Sequence, residues 1–485
     1  MIMKISEIFN LGKSQAELDF VDIDPSLDTA LFLDPHFLSQ RSDRWSQDAA
    51  RTVKIFFRNL LDLLKSGDTQ RAKTIFYSLS EPNETCLGLS RGSPQGRGVG
   101  AEDTQKIFES IQNSQAIISG LVEDLEDCVI FVENFGKDKL SDMTTNIIRL
   151  QLIEYTREQA NLWDIPLSPA VQMGPCWDTD TSSWVNEHGE MLVVNGRRIL
   201  LVPKGVVSYS KDYTPVKYHQ HFVLNYLQDE HLKLNSSLVR RDHRKDGSIR
   251  VYVTKKDIKE TESPGTKEYL IRFTEKHPSV FKKFKEEMKG QNESLTDSEF
   301  SDIDIESIID HLMKELNEIS PGREDASRYH DLIIGILELL FYPDVISPVK
   351  EQRIHEGRKR IDIVFDNAAE SGIFHDLHEI HRLPCQYIFM ECKNYSGDPN
   401  NPELDQLAGR FSPNRGKAGF LICRTIENMD LFLSRCIDTY RDDRGLIIPI
   451  VDSDLIKAMK ERKNNKRLHL NKILRDRQRE IQLKS

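Results

Sequence analysis

The segment QYIFMECKN, residues 386–394, is the most informative stretch in the C-terminal part of this chain. Its apolar run predicts a buried strand, and side chains on a strand alternate between the two faces of the sheet. Glu391 and Lys393 therefore project together from one face, at the end of an otherwise apolar strand. Burying either charge without a partner is costly, so the pair indicates a site rather than plain core.

A second strand is predicted over KRIDIVFDN, residues 359–367, and it contains another isolated acid. Asp362 lies between Ile361 and Ile363 in this segment. A carboxylate embedded in an apolar strand needs a partner, and a bound cation is a common one. We therefore expect Asp362 to share a site with the acid of the first strand.

The elements around these two strands predict an α/β domain, a mixed sheet flanked by helices. A helix is predicted before them, over residues 329–341. The elements predicted after them are a helix from Pro402 with Asn401 as its N-cap, a strand over residues 418–424, a further helix, a strand over residues 446–452, and a last helix capped by Ser453.

Two carboxylates and a lysine are suited to phosphodiester hydrolysis. Carboxylate oxygens hold hard divalent ions such as Mg²⁺, with Mn²⁺ as an alternative, and leave positions for water and phosphate oxygens. A bound ion lowers the pKa of its water, and a nearby lysine positions that water or contacts the phosphate. The candidate residues are thus Asp362, Glu391 and Lys393.

These residues carry a family resemblance. The series IDIV, ECKN, ELDQLAGRF and GFLICR, with 28 residues between Asp362 and Glu391, resembles the PD-(D/E)xK superfamily, and especially its Mrr-like restriction endonucleases. The resemblance covers residues 325–455. It implies a restriction-endonuclease-like fold, with Asp362 and Glu391 as metal ligands and Lys393 as a catalytic residue. Gln406 matches a glutamine that such enzymes often carry on the next helix.

One feature departs from the family pattern. The family usually has an acid on the helix that precedes the aspartate strand, and His330 stands where we would place it. Asp331 and Glu338 are the nearby acids, seven residues apart and on one helix face. We prefer Glu338 as the third metal ligand, and either acid is alternatively a surface residue.

Basic residues near the later strand are candidates for phosphate contacts. They are Arg410, Arg415, Lys417 and Arg424, for which ordinary surface charge is the alternative. From Ile456 onward, eleven Lys or Arg stand against three acids, so this segment carries +8 and the rest −19 of the net −11. Such a basic tail suits phosphate contact, or is simply a solvated helix face.

The length of 485 residues predicts more than one domain. We expect an N-terminal mixed α+β region and the α/β nuclease domain. The predicted divisions are a mostly helical region of unknown role (1–165), a strand-rich basic region (166–290), an acidic linker (291–304), the nuclease domain (305–455) and a basic tail (456–485). Residues 1–290 contain no motif that names a reaction.

The composition indicates a cytoplasmic protein. Hydrophobic residues make up 38% and charged residues 29% of the chain, and no apolar run is long enough for a membrane span. Seven cysteines are scattered without a CxxC pair, which favours reduced thiols. We therefore expect no membrane partner.

The leading functional hypothesis is a Mg²⁺-dependent endonuclease acting on DNA. The resemblance further implies a role in bacterial phage defence or restriction, with the front half choosing a target, partner or trigger. A homodimer is plausible because such enzymes often pair to cut both strands. The alternatives are a catalytically inactive nucleic-acid-binding or scaffold protein that keeps the fold, and a nuclease that cleaves RNA.

Overall fold

The structure is a computed structural model. It describes residues 3–79, 82–88, 101–209, 211–246, 248–289, 294–300, 304–354, 359–463 and 468–485. Residues 291–293 and 301–303 of the predicted acidic linker lie outside these ranges. None of the helices in the described ranges combines the length and the apolar character needed to cross a bilayer.

The front of the chain is mainly helical, with small antiparallel sheets. Its helices are α1 (Ile5–Ile8), α2 (Pro35–Gln40), α3 (Arg44–Ser66), α4 (Thr69–Phe76), α5 (Ala101–Gln112), α6 (Gln115–Ile118), α7 (Asp127–Phe131), α8 (Lys137–Ile147) and α9 (Arg149–Leu162). The strands that accompany and follow them are β1 (Phe32–Leu33), β2 (Ser168–Asp178), β3 (Ser183–Val194), β4 (Arg197–Ile199) and β5 (Val207–Ser208).

The middle of the chain joins a helical bundle to a hairpin. Its elements are α10 (Pro215–Lys217), a π-helical stretch (Tyr218–Val223), α11 (Leu224–Leu234), β6 (Arg240–His243), β7 (Ile249–Tyr252), α12 (Lys255–Thr261), α13 (Lys267–Lys276), α14 (Pro278–Met288) and α15 (Asp297–Phe300).

The C-terminal part contains the largest sheet. Its elements are α16 (Ile305–Glu318), α17 (Ala326–Phe341), β8 (Val345–Ile354), β9 (Lys359–Asn367), α18 (Gly372–His375), β10 (Tyr387–Lys393), α19 (Asn401–Ala408), β11 (Ala418–Cys423), α20 (Met429–Arg441), β12 (Leu446–Val451), α21 (Asp452–Arg462) and α22 (Leu468–Lys484).

The predicted α/β layout is confirmed at the level of a mixed five-stranded sheet with helices. The strand order is β12-β11-β10-β9-β8. The strands β10, β11 and β12 run parallel, while β9 is antiparallel to both of its neighbours. The parallel strands are connected by α19 and α20, as parallel neighbours require a crossover.

One strand of this sheet is absent from the layout that the sequence predicts. The edge strand β8 contains Pro348, and its pairing with β9 is irregular between Ile346 and Val349. Proline is tolerated on an edge strand, where its missing N–H costs no ladder hydrogen bond. The predicted N-caps are also displaced: Asn400, rather than Asn401, caps α19, and α21 begins one residue before Ser453.

Aromatic packing joins the front helices to the antiparallel sheet of β2, β3 and β4. The ring centroids of Phe56 on α3 and Trp177 on β2 lie 4.8 Å apart, and Trp184 on β3 lies 5.3 Å from Trp177. Edge-to-face contacts of this kind stabilise a core beyond the area they bury. Residues from both sides of the predicted division at 165/166 therefore share one core.

The last helix, α22, packs on the sheet. Leu474 and Ile481 of α22 are fully buried, and the helix packs against α20 and β12. Arg477 donates to Pro449 O over 2.7 Å and pairs with Asp454 at 2.7 Å. Part of the basic charge of this segment is thus used within the fold.

Candidate active site

Asp362 and Glu391 are cross-strand neighbours on one face of the large sheet. The antiparallel register of β9 and β10 ends at the pair of Met390 with Ile363, and Glu391 and Asp362 are the next residue beyond that pair on each strand. The amide of Cys392 donates to Oδ2 of Asp362 over 3.2 Å, which fixes this carboxylate against β10.

Lys393 and Gln406 complete the group predicted from the sequence. The Lys393 ammonium donates to Oε1 of Glu391 at 2.8 Å and to Oε1 of Gln406 at 3.2 Å. Glu391 is completely buried, whereas 16% of the Lys393 side chain is exposed. The ammonium therefore stands at the mouth of the site, with its carboxylate partner behind it.

Arg410 also belongs to this group, in a role that its sequence position did not suggest. Its guanidinium donates to Oε2 of Glu391, and the residue is buried. Burial lowers the pKa of Arg410, and the negative charge of Asp362 opposes that shift. Asp362 and Glu391 thus face the positive charges of Lys393 and Arg410, so the cluster is electrically balanced.

The residue of α17 that faces this site is His330. Burial lowers its pKa, while the charge of Asp362 and a hydrogen bond with the backbone of Cys392 act in the opposite direction. The neighbouring Asp331 turns away and accepts from Lys350 at 2.6 Å. A histidine therefore lies where the resemblance led us to expect an acid.

The structure does not bring Glu338 to the site. Glu338 lies eight residues further along α17 than His330, about 12 Å along the helix axis. It is fully buried and pairs with Lys204 at 3.2 Å. The Lys204 ammonium also lies 3.6 Å from Asp297. Glu338 therefore belongs to a separate buried ion cluster with Lys204 and Asp297.

The other basic residues near β11 are engaged inside the protein. Arg415 donates to Arg410 O at 3.3 Å, and Lys417 pairs with Asp443 at 2.9 Å. Arg424 pairs with Asp452 at 3.0 Å and donates to the carbonyl oxygens at the end of α16. The contacts of Arg415 and Arg424 favour structural roles for these two residues, whereas the pair of Lys417 with Asp443 lies at the surface.

The site offers only a small number of ligands for a hard divalent ion. Across the described ranges, no group of three or more His, Cys, Asp or Glu side chains is arranged to hold a metal ion. Mg²⁺ is commonly held by one or two carboxylates, with water and substrate phosphates supplying the other ligands. Asp362 and Glu391 provide that minimum, provided that Arg410 releases Oε2 of Glu391.

Comparison with known protein families finds a match in the front half of the chain. Residues 10–214 match the model of a family described as a domain of unknown function (DUF8370). No curated protein and no solved structure matches the chain. The matched segment includes α2 to α9 and the small sheets of the front half, and it ends well before Asp362. By these comparisons the front half is similar to a family of unknown function. The candidate site in the C-terminal part lies outside the matched residues and is described from its geometry alone.

Proposed function

We propose that the C-terminal sheet carries the site of a Mg²⁺-dependent endonuclease that hydrolyses DNA phosphodiester bonds. One observation carries this proposal: Asp362, Glu391, Lys393 and Gln406 come from two strands and a helix and meet at one place. Charged side chains inside an apolar sheet are costly to bury. Their convergence is better accounted for by chemistry than by packing.

Each side chain has a distinct task in this proposal. Asp362 and Glu391 would hold the divalent ion through oxygen. Lys393, fixed by two acceptors and partly exposed, orients the attacking water or contacts the scissile phosphate. Gln406 holds the lysine in place. A bound divalent ion supplies Lewis-acid stabilisation of the phosphate and a more acidic water.

The finer fold assignment is part of the same proposal. An antiparallel unit of β8, β9 and β10 continues into the parallel strands β11 and β12, with α17 before it and α19 between β10 and β11. This order agrees with the resemblance to Mrr-like restriction endonucleases. A role in phage defence or restriction follows from that resemblance alone.

A second candidate is a nucleic-acid-binding protein that keeps the fold without turnover. The observation favouring it is the engagement of both Glu391 oxygens, one by Lys393 and one by Arg410. His330 in place of an acid points in the same direction, because it reduces the negative charge available to a cation.

Cleavage of supercoiled plasmid DNA with Mg²⁺ or Mn²⁺ tests the proposal. The wild-type chain is compared with Lys393→Ala and Asp362→Asn, and with Lys283→Ala, an exposed lysine on α14, as the control. Nuclease function requires cutting by the wild type and the control, and loss of cutting by both site variants with unchanged thermal unfolding. Equal cutting by all proteins rejects this site. A parallel assay on RNA tests the remaining alternative.

A further inference from the structure

The hairpin of β6 and β7 is exposed on both faces. Arg240 pairs with Tyr252 and His243 with Ile249 in an antiparallel register. Seven of the eight strand residues are exposed, and Tyr252 is half-buried. A two-stranded ribbon of this kind is marginally stable by itself and adds little to the core. Packing against the core therefore does not account for this exposed ribbon.

The hairpin is also strongly basic. Between Arg240 and Tyr252 there are five Arg or Lys and two Asp, which leaves +3. Arg240 pairs with Asp257 at 2.7 Å. The register sets Arg250 opposite Asp242. Among the described residues, no carboxylate forms an ion pair with Arg241, Arg244 or Lys245. These charges are therefore available to an external anion.

One face of the ribbon combines charge with apolar surface. Cross-strand pairing places Arg241 opposite Val251 and His243 opposite Ile249. Ile249 and Val251 are 53% and 47% exposed. An apolar pair beside Arg241 and the imidazole of His243 suits a partner with an anionic backbone and apolar edges. The cations near β11, by contrast, are engaged within the fold.

We propose that this hairpin is a DNA-contacting ribbon, which seats in a groove of duplex DNA. The inference rests on the proposed function for the identity of the nucleic acid. The major groove of B-form DNA admits a two-stranded ribbon, whereas the major groove of duplex RNA is too narrow and deep. Arg241, which shares the face of Ile249 and Val251, and the turn cations Arg244 and Lys245 contact phosphates. Ile249 and Val251 contact base methyls or sugars.

Binding of the full-length protein to labelled duplex DNA in EDTA tests the proposal independently of cleavage. The variant Arg244→Ala/Lys245→Ala is compared with Lys283→Ala/Lys314→Ala, which removes two exposed cations from α14 and α16. We expect the hairpin variant to bind roughly tenfold more weakly, with a salt-dependence slope lower by about two. The control is expected to keep the affinity and slope of the wild type.

Several results would overturn the inference: wild-type affinity in the hairpin variant, no DNA binding by the wild type, or stronger competition by duplex RNA than by duplex DNA. Binding to phosphatidylserine vesicles that requires the hairpin, while DNA binding does not, would also overturn it. The two proposals fail separately. Hairpin-dependent binding without cleavage rejects only the nuclease, and cleavage with hairpin-independent binding rejects only the ribbon.

Discussion

The Lys204 ammonium lies 3.2 Å from a carboxylate oxygen of Glu338, and both side chains are completely buried. Asp297 contributes a further acid at 3.6 Å, and the charge of Asp19 also acts on Lys204. The hydroxyl of Tyr155 donates to Asp19 at 2.6 Å. This cluster joins the front half, α15 and α17, so it connects the region of unknown function to the candidate nuclease domain.

Removing the cation of this cluster is expected to be severely destabilising. Above pH 8, where Glu338 is ionised, Lys204→Met leaves Asp297 and Glu338 buried near one another without their shared counter-charge. Breaking a buried pair in this way costs about 3–5 kcal/mol. The free energy of unfolding in urea measures the effect, with Lys283→Met as the control. A loss below about 1 kcal/mol would show that the cluster has little energetic importance.

The stability of the protein is expected to depend on the protonation of Glu338. Burial raises the pKa of this carboxyl from 4.5 to about 8, and the neighbouring acids Asp19 and Asp297 act in the same direction, while Lys204 opposes them. Because the folded-state pKa is raised, the stabilising contribution is complete below pH 4.5 and is lost as the pH rises through 8.

The variant Glu338→Gln isolates this dependence. The wild type should lose stability relative to the glutamine variant as the pH increases from 4.5 to 8, since glutamine does not titrate. Thermal unfolding of both proteins across this range is the measurement. A constant difference between them at all pH values would contradict the raised pKa.

Arg410 is expected to compete with a divalent ion for Glu391. Its guanidinium holds Oε2 of that carboxylate, so Arg410→Ala should lower the Mn²⁺ concentration needed for thermal stabilisation, on the order of tenfold. The control is Arg441→Ala, an arginine on the surface of α20 that pairs with Asp438. An unchanged or higher Mn²⁺ requirement in the Arg410 variant would rule out the competition.

A side chain at Gly445, which precedes β12, is expected to destabilise the fold. Its φ is +110°, and a Cβ there would overlap the Phe411 ring and lie 2.8 Å from the carbonyl oxygen of Lys417. We expect Gly445→Ala to lower the free energy of unfolding by about 1–3 kcal/mol. Gly397→Ala is the matched control, since a Cβ at that position meets nothing within 4 Å. Equal stability of the two variants would disprove the steric argument.

The strands that carry the candidate site could be predicted because their patterns are strong. The predicted range of β9 agrees with the structure at both ends, and β10 differs by one residue at each end. Period-two alternation along β10 is enough to assign Glu391 and Lys393 to one face. The strand β8 was not predicted because it contains Pro348 and a run of polar residues, which are not typical of a strand. It is an edge strand that is recognised mainly by its pairing with β9.

The choice of the helix acid could not be made from the sequence. Asp331 and Glu338 share a helix face, but their spacing does not specify which distant residues pack against each of them. The packing of α17 directs His330 to the candidate site and Glu338 to Lys204, which is 134 residues earlier in the chain. No local pattern encodes a pairing over that separation.

Residue order alone was sufficient to predict the α/β character of the C-terminal part and the shared face of Glu391 and Lys393, because these properties follow from the periodicity of strands and the order of elements. The place of Gln406 beside them was implied by the family resemblance. The partner of each charge, including Arg410 on Glu391, and the exposure of the hairpin of β6 and β7 became visible only in the folded chain. Burial and ion pairing depend on which distant segments meet, and one chain's residue order does not reveal that.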